Sequence, residues 1–127
     1  MARVEHWERR LAAIIDSGRR VPFRWGLRDC ALFAADCVLT ITRKDPAAQW
    51  RGRYSDEAGA NAFIAAHGGL AALAEAGLAQ AGLPVERIDP AFAQRGDAGL
   101  MLGQRGESLC IIEGENLVAQ GPAGLVR

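Results

Sequence analysis

The sequence carries no excess of charge of either sign. Its 15 Lys and Arg balance 15 Asp and Glu, giving a formal net charge of zero and a pI near 6.7. Nucleic-acid binders usually carry a basic surplus that neutralises phosphates, so binding a phosphate backbone is excluded as the main task. Neutrality also removes the self-repulsion that keeps free monomers apart, which favours residence in an assembly. Long apolar runs are missing as well; none approaches the roughly 18 residues that a membrane helix needs. Met1–His6 lacks the apolar stretch of a signal peptide. The expectation is therefore synthesis in a reducing compartment with free thiols. Cysteine is scarce and odd in number, with Cys30, Cys37 and Cys110 alone. Cys30 and Cys37 stand seven apart with no second pair, and His6 and His67 have no ligand-like neighbours. That pattern predicts no metal site and no cofactor. Repeats and linkers are also lacking. The 127 residues read as a single domain over 1–127, long enough to bury about two-thirds of the surface its unfolded chain exposes.

What is present divides into helices first and strands after. Val4, Trp7, Leu11, Ile14 and Ile15 recur at helical spacing up to Ser17-Gly18. His6 falls off that stripe and reads as a solvated surface residue. A loop with Pro22 and Gly26 follows, and Asp29 stands where the N-cap of a second helix belongs, ahead of Cys30 to about Ile41. Leu32, Phe33, Ala35, Val38, Leu39 and Ile41 cover most of its circumference, which marks a buried central helix. Ser55 is the expected cap of a third helix, Gly68-Gly69 breaks it, and Leu70, Leu73 and Leu78 carry a fourth. From Pro84 onward the period changes. Three short apolar runs, at 98–102, 109–112 and 117–119, are separated by Gly103-Gln104-Arg105-Gly106 and Gly114-Glu115-Asn116, which is hairpin punctuation. The fold class expected is α+β: N-terminal helices with a buried central helix packed on a C-terminal antiparallel sheet.

The segment from Trp25 to Asp36 carries the chemistry. It sets the thiol of Cys30 in the first turn of a helix, directly after a Gly-containing loop. Unpaired backbone N–H groups and the helix dipole favour a thiolate at such a position. The alternative is that Cys30 is a small core hydrophobe, as most free cysteines are. Cys37 and Cys110 both read as core.

Trp25-Gly-x-x-Asp29-Cys30-x-x-Phe33-x-Ala35-Asp36, with Arg95-Gly96-Asp97 introducing the strands, resembles the NlpC-type branch of the papain-like cysteine peptidase superfamily. More closely, it is similar to the small proteins of that branch encoded among the tail genes of tailed phages and prophages. The resemblance extends over nearly the whole chain, including Trp50-Arg51-Gly52-Arg53-Tyr54. It implies a papain-like α+β fold, with Cys30 at the nucleophile position and Gly96-Asp97 at the turn before the first core strand. It also implies a His at the start of the next strand, where this chain has Ser108 in Ser108-Leu109-Cys110-Ile111-Ile112-Glu113-Gly114. The orienting polar residue of the family, about twelve positions on, corresponds to Gln120. Ser cannot accept and hold a proton near neutral pH, so Ser108 cannot replace an imidazole base. Losing that proton transfer costs roughly 10²–10⁴-fold in rate, about 3–5 kcal/mol of barrier.

Three functions are compatible with this pattern. The expected one is a structural or assembly component of a phage tail tip, made in the bacterial host cytoplasm and resident in the virion. Its site would be vestigial, with Cys30, Ser108 and Gln120 as remnants, and its partners would be other tail-tip or hub proteins. The alternative is an active cysteine-dependent peptidoglycan amidase or endopeptidase used in phage entry, with His67, His6 or a neighbouring protein supplying the base. A third is a host-directed or regulatory binding module that uses the same cleft without chemistry. Trp25, Trp50 and Tyr54 fall in loop-like segments. There they either anchor a protein interface or pack inward, Trp25 walling the Cys30 cleft and Trp50 capping the helical layer. The chain stops soon after its third strand. Either the last strand is short or an edge is left open to a partner; the open edge is the expectation, with the contact at Leu125 and Val126.

Overall fold

The computed structural model describes residues 3–103 and 106–127. Among the described residues four α-helices and one short 3-10 turn (Pro90–Phe92) precede a four-stranded antiparallel sheet of order β1-β2-β3-β4, an α+β architecture. The helices are α1 (Trp7–Gly18), α2 (Cys30–Thr42), α3 (Glu57–Ala66) and α4 (Leu70–Gln80). The strands are β1 (Ala98–Gly103), β2 (Gly106–Glu113), β3 (Asn116–Gln120) and β4 (Leu125–Val126). No single helix among the described residues is long and apolar enough to cross a membrane.

α2 is the centre of the molecule because it is apolar on nearly every side. One face packs Phe33, Cys37, Val38 and Ile41 against Leu11 and Ile15 of α1 and Ile111 and Val118 of the sheet. The other packs Ala31, Leu32, Ala34 and Ala35 against Trp50, Leu70, Leu73 and Leu109. Small residues on this second face let α4 and the 47–50 loop approach closely, where larger side chains would hold them off.

Local chemistry sets most boundaries and moves three of them. The apolar stripe starts at Val4, but α1 starts at Trp7; the Val4 N–H donates instead to the Ile41 carbonyl, 2.8 Å away. The cap of α3 is Asp56 rather than Ser55, its carboxylate accepting from the Gly59 N–H at 2.7 Å. A charged acceptor at that position makes a stronger cap bond than a hydroxyl one residue earlier. The third shift is at the C-terminus. Leu125 and Val126 pair with Gln120 and Ala119, so the last strand is short and bonded to β3. The expected open edge at these two residues is overturned, because the loop after α1 lies along it. The Leu125 N–H donates to the Arg19 carbonyl at 3.1 Å, and the Phe23 N–H to the Pro122 carbonyl at 3.0 Å. Gly124 permits this contact: at φ 151°, a Cβ there would lie 2.0 Å from the Arg19 oxygen. The 104–105 part of the expected β1–β2 turn lies outside the described residues.

Candidate functional site

The site is built from the loop before α2, the start of α2 and Tyr54. Asp29 is its hub. Its side chain is 1% exposed and accepts three hydrogen bonds. The Leu32 N–H donates to Oδ1 at 2.9 Å, the Gly26 N–H to Oδ2 at 3.1 Å, and the Tyr54 hydroxyl to Oδ2 at 2.7 Å. One carboxylate thus caps α2, pins the turn that precedes it and ties in the 50–54 loop. The turn needs glycine at position 26, where φ is 80° and a Cβ would lie 2.2 Å from the Tyr54 carbonyl oxygen.

Cys30 follows as the first residue of α2, half-buried and with a free thiol. Burial holds the Tyr54 phenol well above the ordinary tyrosine value; the hydrogen bond to Asp29, that carboxylate's charge and the charge of Cys30 add to the effect. Burial also raises the Cys110 thiol, and Cys30 acts in the same direction. Cys37, deeper in α2, is pushed up to about 12, first by burial and then by the Asp36 charge. Neither of these two is a nucleophile in the folded chain.

The remaining site residues named from the sequence do not assemble into a dyad. Ser108 is half-buried in β2, and its hydroxyl lies 3.4 Å from the Leu109 carbonyl oxygen. Gln120 is buried with its whole amide engaged. Its nitrogen donates to the Val21 and Gly121 carbonyls at 2.7 and 2.9 Å, and its oxygen accepts from the Arg28 Nε at 2.7 Å. Instead of orienting an imidazole, Gln120 orients a guanidinium. Arg28 in turn lies over the Phe33 ring, 4.9 Å from its centroid, and 4.0 Å from the Asp36 carboxylate. Its role was not legible from spacing, since Arg28 and Gln120 are 92 residues apart.

Neither histidine hydrogen-bonds to Cys30. His6 precedes α1 in the left-handed region, largely exposed and making no cap bond with its side chain, with Nε2 3.4 Å from the Glu5 carboxylate. His67 closes α3, its Nδ1 2.8 Å from the Phe63 carbonyl oxygen. A carbonyl only accepts, so that nitrogen carries the proton and donates. The His67 ring stacks on Phe63 at 4.4 Å, and Phe63 lies 5.9 Å from Tyr54. The Phe63 and His67 rings border a separate cleft of about 340 Å³ also lined by Trp50, Arg51, Arg53 and Gly77, among others; Asp29, Cys30 and Tyr54 do not line it. Among the described residues no group of His, Cys, Asp and Glu is arranged to hold a metal ion.

The aromatics resolve mostly inward. Trp50 is 4% exposed, packed with Ala31, Leu32 and Leu73, so it caps the helical layer and is not an exposed interface anchor. Tyr54 is half-buried and committed to Asp29. Trp25 is half-buried, edge-on to Phe23 at 4.7 Å. Beside them Arg51 bridges two carboxylates, 2.8 Å from both Asp36 and Asp45, which locks the 45–51 loop onto α2.

The profile of a family described as "Domain of unknown function (DUF6950)" matches residues 2–127. No curated protein and no solved structure matches the sequence.

Proposed function

The chain belongs to the DUF6950 family, and we propose that it is a structural or assembly component of a phage or prophage tail tip with a degenerate papain-like site. One observation carries this reading. Cys30 stands at a helix start, half-exposed, as a nucleophile would, while neither imidazole hydrogen-bonds to it: His67 is bonded to the Phe63 carbonyl, and His6 stands largely exposed before α1 beside Glu5. A thiol without a base and acid can attack, but it cannot protonate a leaving amine. The other polar residues named for the site support the same reading, because each already serves the scaffold. Asp29 caps α2, Tyr54 holds Asp29, and Gln120 holds Arg28. On this reading the partners are other tail-tip or hub proteins, and the site serves to tie the loop before α2 and Tyr54 to the start of that helix.

The hydrolase reading keeps one observation in its favour, the accessible thiol at the first position of α2. It would need a base delivered by a neighbouring protein.

The test is particle assembly and infection with Cys30→Ala in place of the wild-type chain. The structural reading expects the protein in purified virions and wild-type infectivity from the variant. Normal particles that fail only at cell entry would overturn it in favour of the hydrolase.

A further inference from the structure

The cleft of about 340 Å³ beside Trp50 lies between the 46–53 segment, the end of α3 and one side of α4. Its volume is at the small end of ligand pockets. Trp50 and Leu73, both buried, give it an apolar wall, and the Phe63 ring extends that wall, with the His67 ring stacked on it at 4.4 Å. Among the described residues no Asp or Glu lines the cleft, whereas Arg51 and Arg53 do. Arg51 is engaged with Asp36 and Asp45. Arg53 is exposed and forms no ion pair among the described residues. Its backbone N–H donates to the Trp50 carbonyl at 3.2 Å, which holds this arginine next to the apolar wall. Trp50 carries a second unused donor: its indole N–H is buried without a hydrogen-bond partner among the described residues.

We propose that this cleft binds a small monoanion built on an apolar ring, its carboxylate on the Arg53 guanidinium and its ring against Phe63 and Trp50. Three features select that chemistry. A wall of rings and leucine takes a flat apolar body. A guanidinium with no acidic side chain beside it in the cleft attracts an anion, and its planar fork matches a carboxylate. One unpaired arginine in a cleft of this size suits a single charge on a ring-sized body, where a polyanion would need several cations. Cys30 does not line the cleft, so the inference is independent of whether that thiol does any chemistry.

Titration of the isotope-labelled full chain with phenylacetate, followed through its amide and indole N–H resonances, tests it. Shifts are expected at the residues lining the cleft, the Trp50 indole included, saturating with a Kd of about a millimolar or tighter. The indoles of Trp7 and Trp25, which do not line the cleft, are expected to stay in place. Uncharged phenylacetamide is expected to bind at least about fivefold more weakly, and so is phenylacetate to Arg53→Gln. That variant should melt as wild type does, because Arg53 is exposed. Arg9→Gln removes an exposed arginine of α1, away from the cleft, and is expected to bind phenylacetate as wild type does. A short peptide ending in phenylalanine with a free carboxylate separates the two sources of such a group. Tighter binding than phenylacetate assigns the cleft to a peptide terminus, and equal or weaker binding assigns it to a free organic acid. The absence of saturable shifts with either acid overturns the proposal. So does phenylacetamide binding as tightly as phenylacetate, an Arg53→Gln variant that binds as wild type does, or an Arg9→Gln variant weakened to the same extent as Arg53→Gln.

Discussion

Replacing Asp29 by Ala removes the acceptor for three donors at once, and the structure sets the cost. The Leu32 N–H at 2.9 Å is the N-cap bond of α2, worth about 1 kcal/mol. The Gly26 N–H and the Tyr54 hydroxyl are then left without their partner, at about 1–3 kcal/mol for each donor that stays dry. Tyr54 is half-buried and turns toward water more easily than Gly26, so its share is at the low end. Removing a buried carboxylate also relieves the carboxylate's own desolvation, which acts in the opposite direction. The balance is a destabilisation of about 3 kcal/mol, against the roughly 5–15 kcal/mol of a typical domain. Asp29→Asn keeps an acceptor for Leu32 and lets Tyr54 accept from the new amide, leaving one N–H opposed by another donor, at about 1–2 kcal/mol. Tyr54→Phe removes one bond, at about 1 kcal/mol. Because the three groups share one carboxylate, Asp29→Ala combined with Tyr54→Phe should cost less than the two singles added together. Urea unfolding followed by far-UV circular dichroism measures all four, with an unchanged dependence on denaturant. An Asp29→Ala variant within about 0.5 kcal/mol of wild type would refute the assignment of Asp29 as the hub of this loop.

Three further perturbations test the same packing. The chain has one tyrosine, so phenolate absorbance reports Tyr54 alone. Its folded-state value is raised, so the native state holds the phenol proton that the unfolded chain releases near pH 10. The stability this confers is complete below that pH and falls as pH rises above it; phenolate should therefore appear together with unfolding, and its appearance in a still-folded chain near pH 10 would count against the Asp29 contact. In thiol labelling of the native protein at mildly alkaline pH, half-buried Cys30 should react while Cys37 and Cys110 stay protected until denaturant is added. More than one equivalent in the native state would contradict that. Gln120→Leu strands the Arg28 Nε and the Val21 and Gly121 carbonyls; it should destabilise by about 2–3 kcal/mol, and a neutral result in thermal unfolding would show that this clamp carries no stability.

The local parts of this architecture were legible in the sequence. Asp29 three residues before Leu32, glycines between apolar runs, and the apolar circumference of α2 are short-range patterns, and each falls on its observed element. What was not legible is held by long-range contacts. Trp50 reads as a loop aromatic because its neighbours are polar; its burial depends on the small face of α2 and on α4. Leu125 and Val126 read as an open edge because the covering carbonyl, at Arg19, lies more than a hundred residues earlier. Gln120 was expected near an imidazole; nothing near it in sequence marks Arg28 as its partner. At the site itself the sequence placed Cys30 at the start of α2 behind an Asp cap, while the commitment of Asp29, Tyr54 and Gln120 to the scaffold needed the folded chain.

On the proposed reading, Cys30 stands in a site that does not turn over amide bonds. The most direct measurement is release of new amino groups from purified peptidoglycan by the purified chain and by Cys30→Ala. Neither protein is expected to release amino groups above the protein-free control. Release by the wild-type chain that is lost in Cys30→Ala would contradict it.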